Sequence, residues 1–61
     1  MKMTITIQMD NAAFEDNQGG EVARILRELA SKIDGDSSLE GVYYNLRDIN
    51  GNKVGEMNIN D

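Results

Sequence analysis

The chain contains no cysteine, histidine, proline or tryptophan, and only one phenylalanine. Without cysteine, neither a disulfide nor a thiolate metal site can staple a small fold. Without histidine, the commonest general base and the commonest transition-metal ligand are both missing. Positive charge is scarce as well: eleven carboxylates stand against six bases, for a formal net charge of −5. An acidic surface repels nucleic acid and anionic membrane, so direct binding to either is disfavoured. No stretch is long and apolar enough to span a bilayer. Met1-Lys2-Met3-Thr4 is not followed by the apolar run of a signal peptide, which leads us to expect an intracellular protein.

What remains is 61 residues, enough for one domain. A chain of this size buries only about 60% of the surface exposed in its unfolded form. Its core must come from aliphatics, methionine, two tyrosines and Phe14. Dimerisation is a natural further source of stability for so small a core.

Residues 3–9 alternate strictly: Met3, Ile5, Ile7 and Met9 on one side, Thr4, Thr6 and Gln8 on the other. Period two with β-branched residues predicts a half-buried strand. Asp10 and Asn11 favour a turn, and Ala12-Ala13-Phe14 suit a single helical turn with Phe14 plugging the core. Gly19-Gly20 reads as a flexible joint. Residues 21–34 predict a helix, with Val22, Ile25, Leu26, Leu29 and Ile33 forming one apolar stripe and Ala30 beside them. Glu21, Arg24, Glu28 and Lys32 fall on the opposite side, where Arg24 with Glu28 and Glu28 with Lys32 make i,i+4 pairs. Gly35 is expected to supply a left-handed stop. Leu39 is expected to tuck under the loop of residues 36–41.

Residues 42–59 read as a hairpin, with Val42, Tyr44 and Leu46 on one face and Tyr43, Asn45 and Arg47 on the other. Asn50-Gly51 predicts a type I′ turn. In the return strand Val54 is out of phase with Met57 and Ile59, and a β-bulge at Gly55 restores the phase. The fold class is therefore α+β in β-α-β-β order, with one helix on a three-stranded sheet. Pairing the first strand with the last gives an antiparallel sheet of order 1-3-2. Pairing it with the second gives a parallel, right-handed crossover. The first is preferred, because an antiparallel sheet tolerates one wet face.

No catalytic set emerges. Asp48-Ile49-Asn50-Gly51-Asn52 has oxygen ligands at alternate positions, as a calcium loop does, but Lys53 and Ile59 stand where that motif needs glycine and glutamate. A plain hairpin turn fits better. Gly19-Gly20 lacks the Lys-Ser/Thr of a phosphate cradle, and Glu15, Asp16 and Glu21 would repel phosphate. The carboxylate pairs Glu15/Asp16 and Asp34/Asp36 lie in loops, without the desolvation that acid–base work requires. Neither a cofactor nor a metal is expected. The surface of greatest interest is the open sheet face, carrying Thr4, Thr6, Gln8, Tyr43, Asn45, Arg47, Glu56 and Asn58. Tyrosine and arginine are typical interface anchors, although threonine and tyrosine also suit any wet sheet face.

Three segments carry a likeness: Asp10-Asn11-Ala12-Ala13-Phe14-Glu15-Asp16-Asn17, the helix from Glu21 to Leu29, and the ending Leu46-Arg47-Asp48-Ile49-Asn50-Gly51-Asn52-Lys53-Val54-Gly55. Together they resemble a group of very small acidic proteins encoded by bacteriophages and prophages. The resemblance covers most of the chain, residues 36–41 excepted. It implies a context, the cytoplasm of a bacterial host, and a mode of action, the binding of a host protein. The targets it implies include CRISPR effectors, restriction enzymes, other defence proteins and host polymerase. On this reading Tyr43, Asn45, Arg47, Glu15 and Asp16 are the expected contacts. A self-associating accessory protein, for example a dimer through strand edges, is the alternative.

Overall fold

The computed structural model describes residues 1–60. Strand β1 spans Lys2–Ile7, a 3₁₀ turn spans Ala12–Phe14, helix α1 spans Gln18–Asp34, and strands β2 and β3 span Tyr43–Arg47 and Lys53–Asn60. The sheet has the order β1-β3-β2 and is antiparallel throughout. Lys2 lies opposite Asn60 and Ile7 opposite Gly55. Residues paired across antiparallel strands share a face. Met3, Ile5 and Ile7 therefore stand on the same side as Tyr44, Leu46, Met57 and Ile59. Thr4, Thr6, Tyr43, Asn45, Glu56 and Asn58 stand on the other.

The expected bulge is present. Leu46 pairs with Gly55 and Arg47 with Lys53, leaving Val54 as the extra residue of β3. The bulge turns Val54 into the core despite its odd spacing from Met57. Helix α1 covers one sheet face, and Ile25 and Leu29 meet Phe14, Leu46, Val54 and Met57 in a single core. Phe14 fills the expected plug position. Its turn is fixed by Asn11, whose side-chain oxygen accepts from Ala13 N at 3.0 Å.

Several local expectations are corrected. Strand β1 ends at Ile7 rather than Met9, although Gln8 N still donates to Val54 O at 2.7 Å. Helix α1 begins at Gln18, three residues before the expected start. The reason is Asn17, whose side-chain oxygen accepts from Gly20 N at 2.9 Å and caps the first turn. Gly19-Gly20 is thus helical and not a flexible joint. Gly35 closes the helix with φ −80°, and the left-handed residue of this connection is Gly41, at φ 74°. Leu26 does not join the buried stripe and remains 40% exposed. Lys32 reaches the ring of Tyr44, 5.7 Å from its centroid, rather than pairing with Glu28.

The Asn50-Gly51 turn also differs from expectation. No residue but glycine has positive φ among those described, so Asn50 cannot sit in a type I′ turn. Instead Gly51 N donates to Asp48 O at 3.0 Å, and Asp48 N donates to Asn52 O at 2.9 Å. This is a three-residue hairpin loop with Gly51 left-handed at φ 86°. Asp48 selects it, because its carboxylate accepts from Asn50 N at 2.9 Å and makes the local side-chain turn that aspartate favours.

The capped first turn carries a test. A Cβ at Gly19 would meet nothing within 4 Å, whereas one at Gly20 would lie 2.3 Å from the capping amide of Asn17. Gly19→Ala is expected to stabilise the protein by roughly 0.5–1 kcal/mol. Gly20→Ala gains nothing, because it disturbs a cap worth about 1 kcal/mol. Paired thermal melts of the two variants check both outcomes.

Candidate binding surface

Strand β2 places Tyr43, Asn45 and Arg47 side by side on the open face, since alternate residues of a strand share a side. Tyr43 is 49% exposed. Its hydroxyl donates to Asn45 Oδ1 at 3.0 Å and accepts from Lys53 Nζ at 3.3 Å. Lys53 also stands 3.4 Å from a Glu56 carboxylate oxygen. The Tyr43 hydroxyl first, and Glu56 after it, hold the Lys53 ammonium above the ordinary lysine range. Arg47 Nη1 donates to Gly51 O at 3.1 Å, which aims the guanidinium toward the hairpin turn. Beyond the bulge, Thr6, Gln8, Asp10, Asn11, Lys53 and Glu56 line a shallow open depression. The face thus presents Tyr43 hydrogen-bonded to Asn45 and Lys53, with Glu56 beside Lys53, and Arg47 next to them on the strand but bonded to the turn.

Glu15 and Asp16 belong elsewhere. Both are exposed in the link between the 3₁₀ turn and α1, and none of the hydrogen bonds of the Tyr43 row reaches them. The five residues expected as contacts therefore divide into a group of three on β2 and a separate acidic link.

Two buried carboxylates lie outside that set. Glu21, expected on the solvent side of the helix, is only 9% exposed, and Asp48 is 4% exposed. Arg24 Nε donates to Glu21 Oε1 at 2.8 Å and Nη2 to Oε2 at 3.2 Å. Ile49 N also donates to Glu21 Oε2, at 2.8 Å. Arg24 further reaches Glu28 at 3.0 Å, the expected pair, and donates to Arg47 O at 3.0 Å. Asp48 accepts from Asn50 N and Asn52 N at 2.9 Å, from Asn11 Nδ2 at 2.8 Å and from Asn52 Nδ2 at 3.3 Å. Both of its oxygens are thereby occupied by N–H donors, so the carboxylate serves as the fastener of the turn. The network ties hairpin loop, helix start and 3₁₀ turn together. Helical periodicity could not reveal it, because the partners of Glu21 come from a distant loop. The signal available in sequence was the Asp48-x-Asn50-x-Asn52 spacing.

Hydrogen bonds from Arg24, with Ile49 N adding to them, hold the Glu21 carboxyl below its ordinary range against the opposing effect of burial. For Asp48, burial pushes upward, but the donors from Asn52, Asn11 and Asn50 together outweigh it and leave the carboxyl low. A carboxyl lowered by folding stabilises the native state above its unfolded pKa, about 3.9 for Asp and 4.3 for Glu. That contribution is lost as pH falls through the folded values. Tm is therefore expected to hold steady from pH 7 to about 5 and to drop below about pH 4. Asp48→Asn, which removes the acceptor for Asn11 Nδ2, should melt on the order of 5–10 °C lower at pH 7 and show a shallower acid slope. Circular dichroism melts across the pH series check both.

No protein family, curated protein or solved structure matches the chain. Among the described residues, no helix is long and apolar enough to cross a membrane.

Proposed function

We propose that this protein is a non-catalytic binding module of bacteriophage type that inhibits or modulates a bacterial host protein, with a CRISPR effector or restriction enzyme as the favoured class of target. The observation that carries the reading is the open sheet face. One side of the sheet is covered by α1, while the other presents Tyr43, Asn45 and Arg47 in a row, flanked by Thr4, Thr6, Glu56 and Asn58. Tyrosine on a rigid sheet buries large area at little entropic cost, and arginine is the other residue type enriched among interface anchors. The acidic charge suits a basic partner surface, and many nucleic-acid-handling enzymes have one. The likeness of the Asp10–Asn17 segment to small phage proteins supports the same context.

The test is an affinity capture from bacterial lysate with the tagged protein, followed by titration of the purified partner. The reading expects one stoichiometric partner whose affinity falls at least about 30-fold for Tyr43→Ala combined with Arg47→Ala, with the melting curve unchanged. Folded protein that captures no partner, or a partner indifferent to both substitutions, would sink it. Self-association is the second reading, and a different part of the molecule favours it.

A further inference from the structure

The two edges of the sheet are unequal. At the β2 edge, Arg24 donates to Arg47 O, Lys32 lies over Tyr44, and Arg47 itself stands on the strand. Charges of this kind blunt an edge against further pairing. Among the described residues, the β1 edge has no such guard. Its sequence, Lys2-Met3-Thr4-Ile5-Thr6-Ile7, is unbroken by proline or a bulge and carries a single charge, at its end. Gln8 N donates to Val54 O, and donors alternate along an antiparallel ladder. Even-numbered residues of β1 therefore bond to β3, and Met3, Ile5 and Ile7 turn their N–H and C=O groups outward.

The same odd residues leave apolar surface uncovered. Met3 is 37% and Ile5 41% exposed on the helix side of the sheet. Arg24 and Lys32 place one flank of α1 over β2. At 100° per residue, Leu26 and Ala30 fall on the flank turned toward β1. Leu26, Met3 and Ile5 are thus exposed apolar side chains on the helix side of the sheet, the latter two on an open strand edge.

We infer that β1 pairs antiparallel with β1 of a second copy of this chain, across a two-fold axis at Thr4, to give a continuous six-stranded sheet. Charge selects the occupant. Residues 1–9 hold no carboxylate, so two copies of a chain of net charge −5 meet where neither is acidic. Charge also selects the register. Only registers that set odd residues against odd ones place both helices, and the exposed Met3 and Ile5 of both copies, on the same sheet face. Centring on Thr4 sets Met3 against Ile5 of the second copy, and Lys2 against its Thr6. Thr6 is paired with Glu56 on that same face, so the Lys2 ammonium approaches the second copy's Glu56 carboxylate. Centring on Ile5 would instead set Lys2 against Gln8, two residues beyond the Thr6 that pairs with Glu56 and at the rim shared with Asp10, and the crosslinking below separates the two registers. This interface is independent of the Tyr43 face and of any host partner.

Sedimentation equilibrium from micromolar to millimolar concentration, combined with single-cysteine crosslinking in a chain that has no cysteine of its own, tests the pairing. Thr4 would face Thr4 of the second copy as a non-hydrogen-bonded pair, with Cα atoms about 4.5 Å apart, within disulfide reach. Thr4→Cys should form a covalent dimer under mild oxidation at least tenfold faster than Thr6→Cys, whose thiols would lie beyond reach. Ile5→Lys, at an exposed position, should weaken the dimer at least tenfold while leaving the far-ultraviolet spectrum unchanged. A monomer at every concentration would overturn the inference. So would a dimer in which Thr6→Cys crosslinks as fast as Thr4→Cys, or one that Ile5→Lys leaves intact.

Discussion

Gly55→Ala is expected to lower Tm by roughly 12–24 °C, corresponding to about 3 kcal/mol, the upper part of the usual range for overpacking. The smallest possible side chain at this position would put its Cβ 1.8 Å from Thr6 O and 2.8 Å from Thr6 C. Both are main-chain atoms of β1, so no rotamer change relieves the contact. Either β1 moves off β3 or the bulge unfolds. Each outcome breaks the ladder between Lys2–Ile7 and Gly55–Asn60. A chain of 61 residues has on the order of 3–9 kcal/mol of total stability, so the loss is a large fraction of the whole. Thr6→Gly should give no rescue, because the obstacle is backbone. A Tm change below about 5 °C would show that β1 can shift without cost.

Phe14→Ala should be at least as damaging, at about 3–5 kcal/mol. Phe14 is among the largest fully buried side chains and the only phenylalanine in the chain. It sits on a three-residue 3₁₀ turn, packed with Ile25, Leu29 and Met57 beneath the helix. With the ring gone, Ala13 is too small to refill the space, and the connection from β1 to α1 loses its apolar anchor. Urea titration should show the cooperative transition shifted to very low denaturant or absent. Phe14→Leu, which keeps most of the volume, should cost less than about 1.5 kcal/mol and retain the transition. Equal losses for both variants would mean that ring shape, and not filled volume, governs the site.

The order 1-3-2 was a preference between two pairings that rested on the tolerance of an antiparallel sheet for one wet face. The bulge, by contrast, was readable from alternation, since Val54 breaks phase with Met57 and Ile59 and Gly55 is the residue that repairs it. The helix stripe was readable in the same way, with Leu26 as its exception. A helical wheel gives the angle between side chains and not the direction in which the helix is set down. Here Arg24 and Lys32 set it toward β2, which leaves Leu26 outside. The early helix start and the hairpin turn escaped because single polar side chains decide them. Asn17 recruits two glycines into a helix, and Asp48 overrides the turn that Asn50-Gly51 favours alone. For the candidate surface, strand parity was enough to group Tyr43, Asn45 and Arg47. The position of Glu15 and Asp16 depended on how the helix docks. Glu21 was misplaced because its burial depends on Ile49 N, a loop donor that no local pattern announces.

The pairing of Lys2 with Asn60 also has a temporal side. During translation, β1 emerges well ahead of β3, the strand that it pairs with among the described residues. At 5–20 residues per second, the wait for Lys53–Asn60 is on the order of seconds. The β2–β3 hairpin is local in sequence, whereas β1 must close a loop spanning nearly the whole chain before it gains any ladder bond. Until then, a run of methionine, isoleucine and threonine stands in the cell with both edges bare. This is the interval in which nascent-chain chaperones would have most to hold, and it ends only when the last strand arrives.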